Sequence, residues 1–167
     1  ASCSSALSDK NVRFVLGQEE IDANLALTAG KVVDLTAFLV NVLDIGPGNL
    51  VKRSEHRLTY HDPCHLAKAQ NIRKEPRELL RLVPGVELVE MAEPDRCCGG
   101  SGTFALTHYD MSMKILDKKM SAIRNTGCDT VATCCPSCSM QLAYGFRRSR
   151  VNGKVVHPVE LLAQALP

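Results

Sequence analysis

Five of the eight cysteines in this chain stand in one ordered pattern, and nothing else in the sequence constrains the fold as tightly. Cys64 is followed after 32 residues by Cys97-Cys98-Gly99, and after 35 more by Cys135-Pro136-Ser137-Cys138. Each group lies downstream of a β-like run and upstream of a helical one. Residues 58–60 read as a strand before Cys64, residues 86–91 as a strand before Cys97, and residues 130–133 as a strand before Cys135. In an open parallel sheet such points lie side by side at the carboxyl ends of the strands, where ligand sites form.

The rest of the chain agrees with that architecture. Asp62 reads as an N-cap and Pro63 as the first helical position of a helix carrying Cys64. Residues 77–82 read as a helix, and Pro84-Gly85 as a turn. Leu106, Tyr109, Met113, Leu116, Met120 and Ile123 recur at alternating spacings of three and four, which predicts one amphipathic helix over 103–124, ending near Gly127. A helix from Cys135-Pro136 to about Phe146, a strand at 154–156 and a helix over 159–166 complete the alternation. The expected fold is α/β: a Rossmann-like parallel sheet of about four strands with helices on both faces and cysteines at the carboxyl ends of the strands.

The N-terminal residues need their own account. Ser2-Cys3-Ser4-Ser5-Ala6-Leu7 parallels Ser137-Cys138-Ser139-Met140-Gln141-Leu142, and Lys31-Val32-Val33 parallels Lys154-Val155-Val156. The two offsets differ by a length that a loop between Leu7 and Lys31 would absorb. Residues 1–47 therefore read as the tail of a first repeat and residues 48–167 as a complete second one, joined at Ile45-Gly46-Pro47-Gly48. The start at Ala1, with no leader pattern, reads as a processed or truncated chain. A strand is expected near Val32-Val33 and a helix over 34–42. Val33, Leu35, Phe38, Leu39 and Val42 are expected to pack on the complete repeat or on a second copy of the chain.

A net charge of +2 with no basic run, and 4% aromatic residues without Trp, leave little to bind nucleic acid. No run of about 18 apolar residues occurs that would span a membrane.

Physical chemistry favours a metal where the cysteines meet. Helix N-termini lower thiol pKa values and so supply thiolates, and backbone N–H groups there can donate to sulfur. Gly99, Gly100 and Gly102 let the backbone approach a bulky group, which makes them the candidate cofactor-binding residues. A phosphate loop is disfavoured because no Lys-Ser or Lys-Thr follows. Zinc, which would make this a zinc-stabilised interaction domain without a redox role, takes four ligands, one fewer than Cys64, Cys97, Cys98, Cys135 and Cys138 offer, so a cluster of several irons suits the set better. A dithiol redox motif at Cys135 and Cys138 ranks third, since it leaves the other three unexplained.

These segments, with His61-Asp62-Pro63-Cys64-His65 and Gly99-Gly100-Ser101-Gly102 around them, resemble the cysteine-rich CCG domain family over residues 58–166. That family includes the B subunit of heterodisulfide reductase and the iron-sulfur subunits of glycolate and lactate oxidases. The resemblance implies an iron-sulfur (4Fe-4S) cluster, in some members non-cubane, with zinc in others. It implies an oxidoreductase fragment that is not active alone, passing electrons from a flavoprotein dehydrogenase subunit, alongside other iron-sulfur subunits, to a quinone or a disulfide. It also implies a cytoplasmic location, peripheral to the inner face of the membrane through a complex, and leaves room for a homodimer.

The remaining candidates read more plainly. Cys128 is expected to be a small buried filler, and Cys134 to point away from Cys135. Cys3 matches Cys138 by repeat and is expected to lie apart from the five. His61 and His65 either donate to cluster sulfur or are ordinary capped or solvated residues. Met113 and Met120 read as core, and His108 as surface. Arg147, Arg148 and Arg150 read as a basic helix end.

Overall fold

The computed structural model describes residues 2–8 and 23–167. Four short runs rich in β-branched and aliphatic residues form the sheet: β1 His56–Tyr60, β2 Val86–Leu88, β3 Thr130–Ala132 and β4 Lys154–Val156. Their order is β2-β1-β3-β4, and every pairing is parallel. Leu58 lies between Leu88 and Thr130, and Ala132 between Tyr60 and Val156.

Side-chain alternation sorts the strands onto two cores. Leu58, Tyr60, Ala132 and Cys134 face one side with Leu66, Leu79, Leu80 and Leu161. Val131 and Cys135 face the other with Met113, Leu116, Met120, Leu142 and Phe146. Helices supply the outer layers. On the first side are α3 Leu35–Asn41, α4 Cys64–Ala67, α5 Glu75–Leu82 and α9 Pro158–Ala165, and on the second are α7 Tyr109–Asn125 and α8 Pro136–Arg148. The remaining helices are α1 Ser2–Leu7, α2 Ala23–Gly30 and α6 Phe104–Thr107. The parallel four-strand sheet and its two covered faces are as the sequence led us to expect.

Two expectations need correction, and a third is met in part. The helix expected over 103–124 is interrupted at His108, whose backbone is not helical (φ −129°, ψ 50°). Leu106 is 82% exposed and Tyr109 50% exposed, so the apolar stripe reaches the core only from Met113 onward. No residue of the Phe104–Thr107 helix is buried, so periodicity alone did not bring it to the core.

The second correction concerns Val32-Val33, which form no strand. They lead straight into α3, capped by Asp34, whose Oδ1 accepts from both the backbone N–H and the hydroxyl of Thr36. Of the residues expected to pack on the complete repeat or on a second copy of the chain, Leu39 alone meets the first alternative. Leu39 and Val40 pack on the first core, while Val33, Leu35, Phe38 and Val42 remain exposed. The loop expected between Leu7 and Lys31 lies largely outside the described residues, and its described part is α2.

Candidate metal centre

One cleft at the carboxyl ends of the strands is lined by Cys64, Cys97, Cys98, Cys135 and Cys138, together with His65, Gly100, Ser101, Gly102 and Ser137. It encloses about 340 Å³ of space continuous with solvent. Cys64 opens α4, and Cys135 caps α8 just ahead of Pro136, so two helix N-termini open at the cleft. The spacing of 32 residues leads from the end of β1 to that of its neighbour β2, and the spacing of 35 leads from β2 across β1 to β3.

Asp62 is not the N-cap of α4. Pro63 takes that position, and no side chain caps the helix. The Asp62 carboxylate is committed instead to Arg77, which donates to both its oxygens at 2.9 Å. Arg77 also donates to Glu90 and lies 4.9 Å over the Tyr60 ring. This buried ion pair fixes the end of β1 against α5.

The cysteines interact with one another. Cys98 is driven far below the ordinary thiol range, first by the Cys138 thiol, then by the Cys97 thiol, and further by His61. Cys138 is driven far up by its contacts with Cys135 and Cys98, and Cys97 by its contact with Cys98. These opposite shifts belong to the thiols as a group, in which Cys97 and Cys138 interact with Cys98. The Gly99 N–H donates to Cys97 Sγ at 3.3 Å.

The glycine loop is held from below. Ser112 Oγ donates to the Gly99 carbonyl at 2.9 Å, and Gln141 Nε2 donates to Ser112 Oγ at 3.1 Å. At Gly99, φ is +87°, a conformation costly for residues with a Cβ. At Gly100 a Cβ would lie 2.6 Å from Gln141 Cβ and 2.9 Å from the Ser137 carbonyl oxygen, so the loop rests directly on α8.

His61 is 1% exposed, and its Nδ1 donates to the Pro94 carbonyl at 3.1 Å. Ligand-type atoms of His61, Cys98 and Cys138 lie within 4.8 Å of one another. His65, in contrast, is exposed at the cleft rim. Sequence reasoning missed Ser112, Lys119 and Gln141 as parts of this site. The readable signal was polarity on a buried stripe: Ser112 and Lys119 flank Leu116 on the inward face of α7.

Other cysteines lie elsewhere. Cys134 is buried in the first core and accepts from Tyr60 Oη at 3.4 Å; burial pushes its thiol up to about 12. Cys128 is buried beside Arg57 and the Thr126 carbonyl. Cys3 is exposed on α1 and does not line the cleft, although α1 packs against α4. Met113 and Met120 are core, and His108 is exposed and stacked on Phe104.

The sequence profile of the CCG cysteine-rich domain matches residues 58–143, just over half of the chain. The chain belongs to the cysteine-rich CCG domain family. This CCG chain is 38% identical over 137 residues to the probable glycolate oxidase iron-sulfur subunit of Bacillus subtilis, covering 81% of the chain and 31% of that protein. It is 34% identical over 139 residues to the B subunit of the fumarate reductase (CoM/CoB) of Methanothermobacter marburgensis, covering 81% of the chain and 27% of that protein. To lactate utilization protein A 2 of Bacillus cereus it is 31% identical over 165 residues, covering 99% of the chain and 67% of the relative. The chain thus spans under a third of the first two relatives. Among the described residues no helix is long and apolar enough to cross a membrane.

Proposed function

We propose that this chain is the iron-sulfur, electron-transfer part of an oxidoreductase, with Cys64, Cys97, Cys98, Cys135 and Cys138 as the cluster ligands. The observation that carries the reading is that all five sulfurs line one cleft at three neighbouring strand ends. The donor set fits such a group. It offers five thiols, one of them favoured as thiolate, an N–H already donated to Cys97, and Gly100 and Gly102 in the cleft lining; Gly99 lies outside that lining, against Ser112. When bound, an iron-sulfur cluster supplies a one-electron couple. The chain's own residues hold it, keep one side of it dry through Met91, Met113 and Leu142, and leave the other side open to a partner.

The relative whose name specifies a metal specifies iron-sulfur, and zinc finds no support among the relatives. The electron donor would be a flavoprotein dehydrogenase subunit oxidising a glycolate- or lactate-like hydroxy acid, with further iron-sulfur subunits nearby. A heterodisulfide-reductase-like role is the second reading, favoured by the likeness to the CoM/CoB fumarate reductase. Residues 1–47 would end a first repeat. In support, the described part of that segment leaves Val33, Leu35 and Phe38 exposed, although the strand that the parallel with Lys154-Val155-Val156 called for is not formed. The same surface would serve a homodimer of the chain. A cytoplasmic, membrane-peripheral complex is the setting that suits these roles.

The test is anaerobic reconstitution with iron and sulfide, followed by metal analysis and visible absorption. Close to four irons per chain and a brown protein are expected. A plateau at one zinc with no iron would overturn the reading.

A further inference from the structure

Lys119 is 1% exposed and makes no salt bridge among the described residues. Its ammonium donates to the carbonyls of Glu93 at 2.8 Å and Pro94 at 3.3 Å, and lies 3.8 Å from Met91 Sδ. A buried ammonium without a carboxylate is expensive, and proteins retain one where a nearby negative charge compensates it. The Pro94 carbonyl that receives Lys119 also receives His61 Nδ1, and His61 reaches Cys98. Lys119 thus stands one carbonyl oxygen behind the histidine that backs the cysteine cleft. Met91, which it touches, shares a core cluster with Cys98, Cys135 and Cys138.

Burial lowers the Lys119 ammonium to about 8, and the strongest opposing influence is the charge on Cys98. Asp95 and Asp62 follow, and Arg96 opposes them. The carboxylates do not touch Lys119: Asp62 is consumed by Arg77, and Asp95 pairs with Arg73.

We infer that Lys119 is a positioning residue whose fixed positive charge compensates the anionic cysteine site and raises its reduction potential. The inference rests on the iron-sulfur reading above. A cation held beside a couple favours the more negative, reduced member, so its removal lowers the midpoint. The alternative is a purely structural clamp on the residues 93–96 turn.

The experiment compares wild type, Lys119→Gln, Lys119→Met and Lys119→Arg after anaerobic reconstitution. Gln keeps an N–H for the two carbonyls, Met fills the channel with an apolar chain, and Arg keeps the charge. Each variant is first checked for native circular dichroism, and the cluster midpoint is then read by redox titration. At least a tenfold shift against the reduced state is expected for Gln or Met, about 59 mV for one electron, with Arg returning most of it. Equal loss in Gln and Arg, or a wild-type midpoint in Gln or Met, would overturn the inference while leaving the cluster assignment standing. Failure of the wild type to take up iron would instead overturn the assignment, and this inference with it.

Discussion

Adding one methyl group at each of three positions in the glycine loop separates two reasons for a glycine. At Gly102, φ is +44° and a Cβ would meet nothing within 4 Å. Gly102→Ala should therefore cost only the left-handed backbone penalty, about 1–2 kcal/mol. At Gly100 the obstacle is contact: a Cβ would sit 2.6 Å from Gln141 Cβ and 2.9 Å from the Ser137 carbonyl oxygen. Both atoms belong to or adjoin the α8 backbone and cannot swing aside, so Gly100→Ala should cost the overpacking penalty, roughly 1–3 kcal/mol. Gly99 carries both burdens, with φ +87° and a Cβ 2.7 Å from the Ser112 carbonyl oxygen. Summing the two ranges gives roughly 2–5 kcal/mol for Gly99→Ala. At about 2–4 °C per kcal/mol for a chain of this size, melting of the metal-free chain should fall by roughly 2–8 °C for Gly102→Ala and roughly 4–20 °C for Gly99→Ala. Iron uptake separates the causes further. Gly102→Ala should lose loading only through the methyl it adds to the cleft lining, whereas Gly100→Ala should push the loop off α8 and load poorly. Full iron uptake by Gly100→Ala, with a melting point at or above wild type, would refute the claim that the loop rests on that helix.

Other expectations are equally direct. Cys98→Ser should abolish iron uptake while retaining helical circular dichroism; retained uptake would remove Cys98 from the site. Arg77→Met should cost about 3–5 kcal/mol in urea melts, because it strands the buried Asp62 carboxylate; a loss under about 1 kcal/mol, typical of an exposed pair, would contradict this. The buried hydroxyl of Thr133 has no hydrogen-bond partner among the described residues, so Thr133→Val should be neutral or mildly stabilising in the metal-free chain, and a clear drop in melting temperature would contradict this. Lys119 titrates at about 8 when folded, below roughly 10.4 when unfolded. The unfolded state therefore holds more protons between those values, and the cost of burying Lys119 is full below pH 8 and relieved above it. Wild type should accordingly gain stability relative to Lys119→Met from pH 7.5 to 9.5 in urea melts of the metal-free chains, and a difference that does not move with pH would contradict it.

The order of elements was legible because strand and helix periods alternate cleanly after residue 56, and because cysteines mark three strand ends. Cys134 and Cys135 were readable as facing opposite sides from the two-residue strand period alone, and the structure divides them between the two cores. What was not legible depends on contacts between distant segments. Asp62 has the chemistry of a helix cap, and only the approach of Arg77 from α5 shows that it is engaged elsewhere. Leu106 and Tyr109 satisfy the helical period, yet no layer covers them. Lys119 reads as a solvated charge until α7 is placed with that face inward, over the 93–94 carbonyls.

Four residues make up α4, the helix that begins with Cys64. A single turn has no independent stability, so its shape is maintained by what surrounds it. That support comes from Leu66 in the first core, from α1 lying against it, and from Gln70 donating to Ser4 Oγ at 3.2 Å. The other four cysteines are grouped at Cys97-Cys98 and across the start of α8, braced by Ser112 and Gln141. With the proposed ligand set, chelation at this cleft would be unequal: four donors would arrive pre-assembled, and the effective concentration of the fifth would depend in part on the N-terminal segment, some sixty residues earlier in the chain.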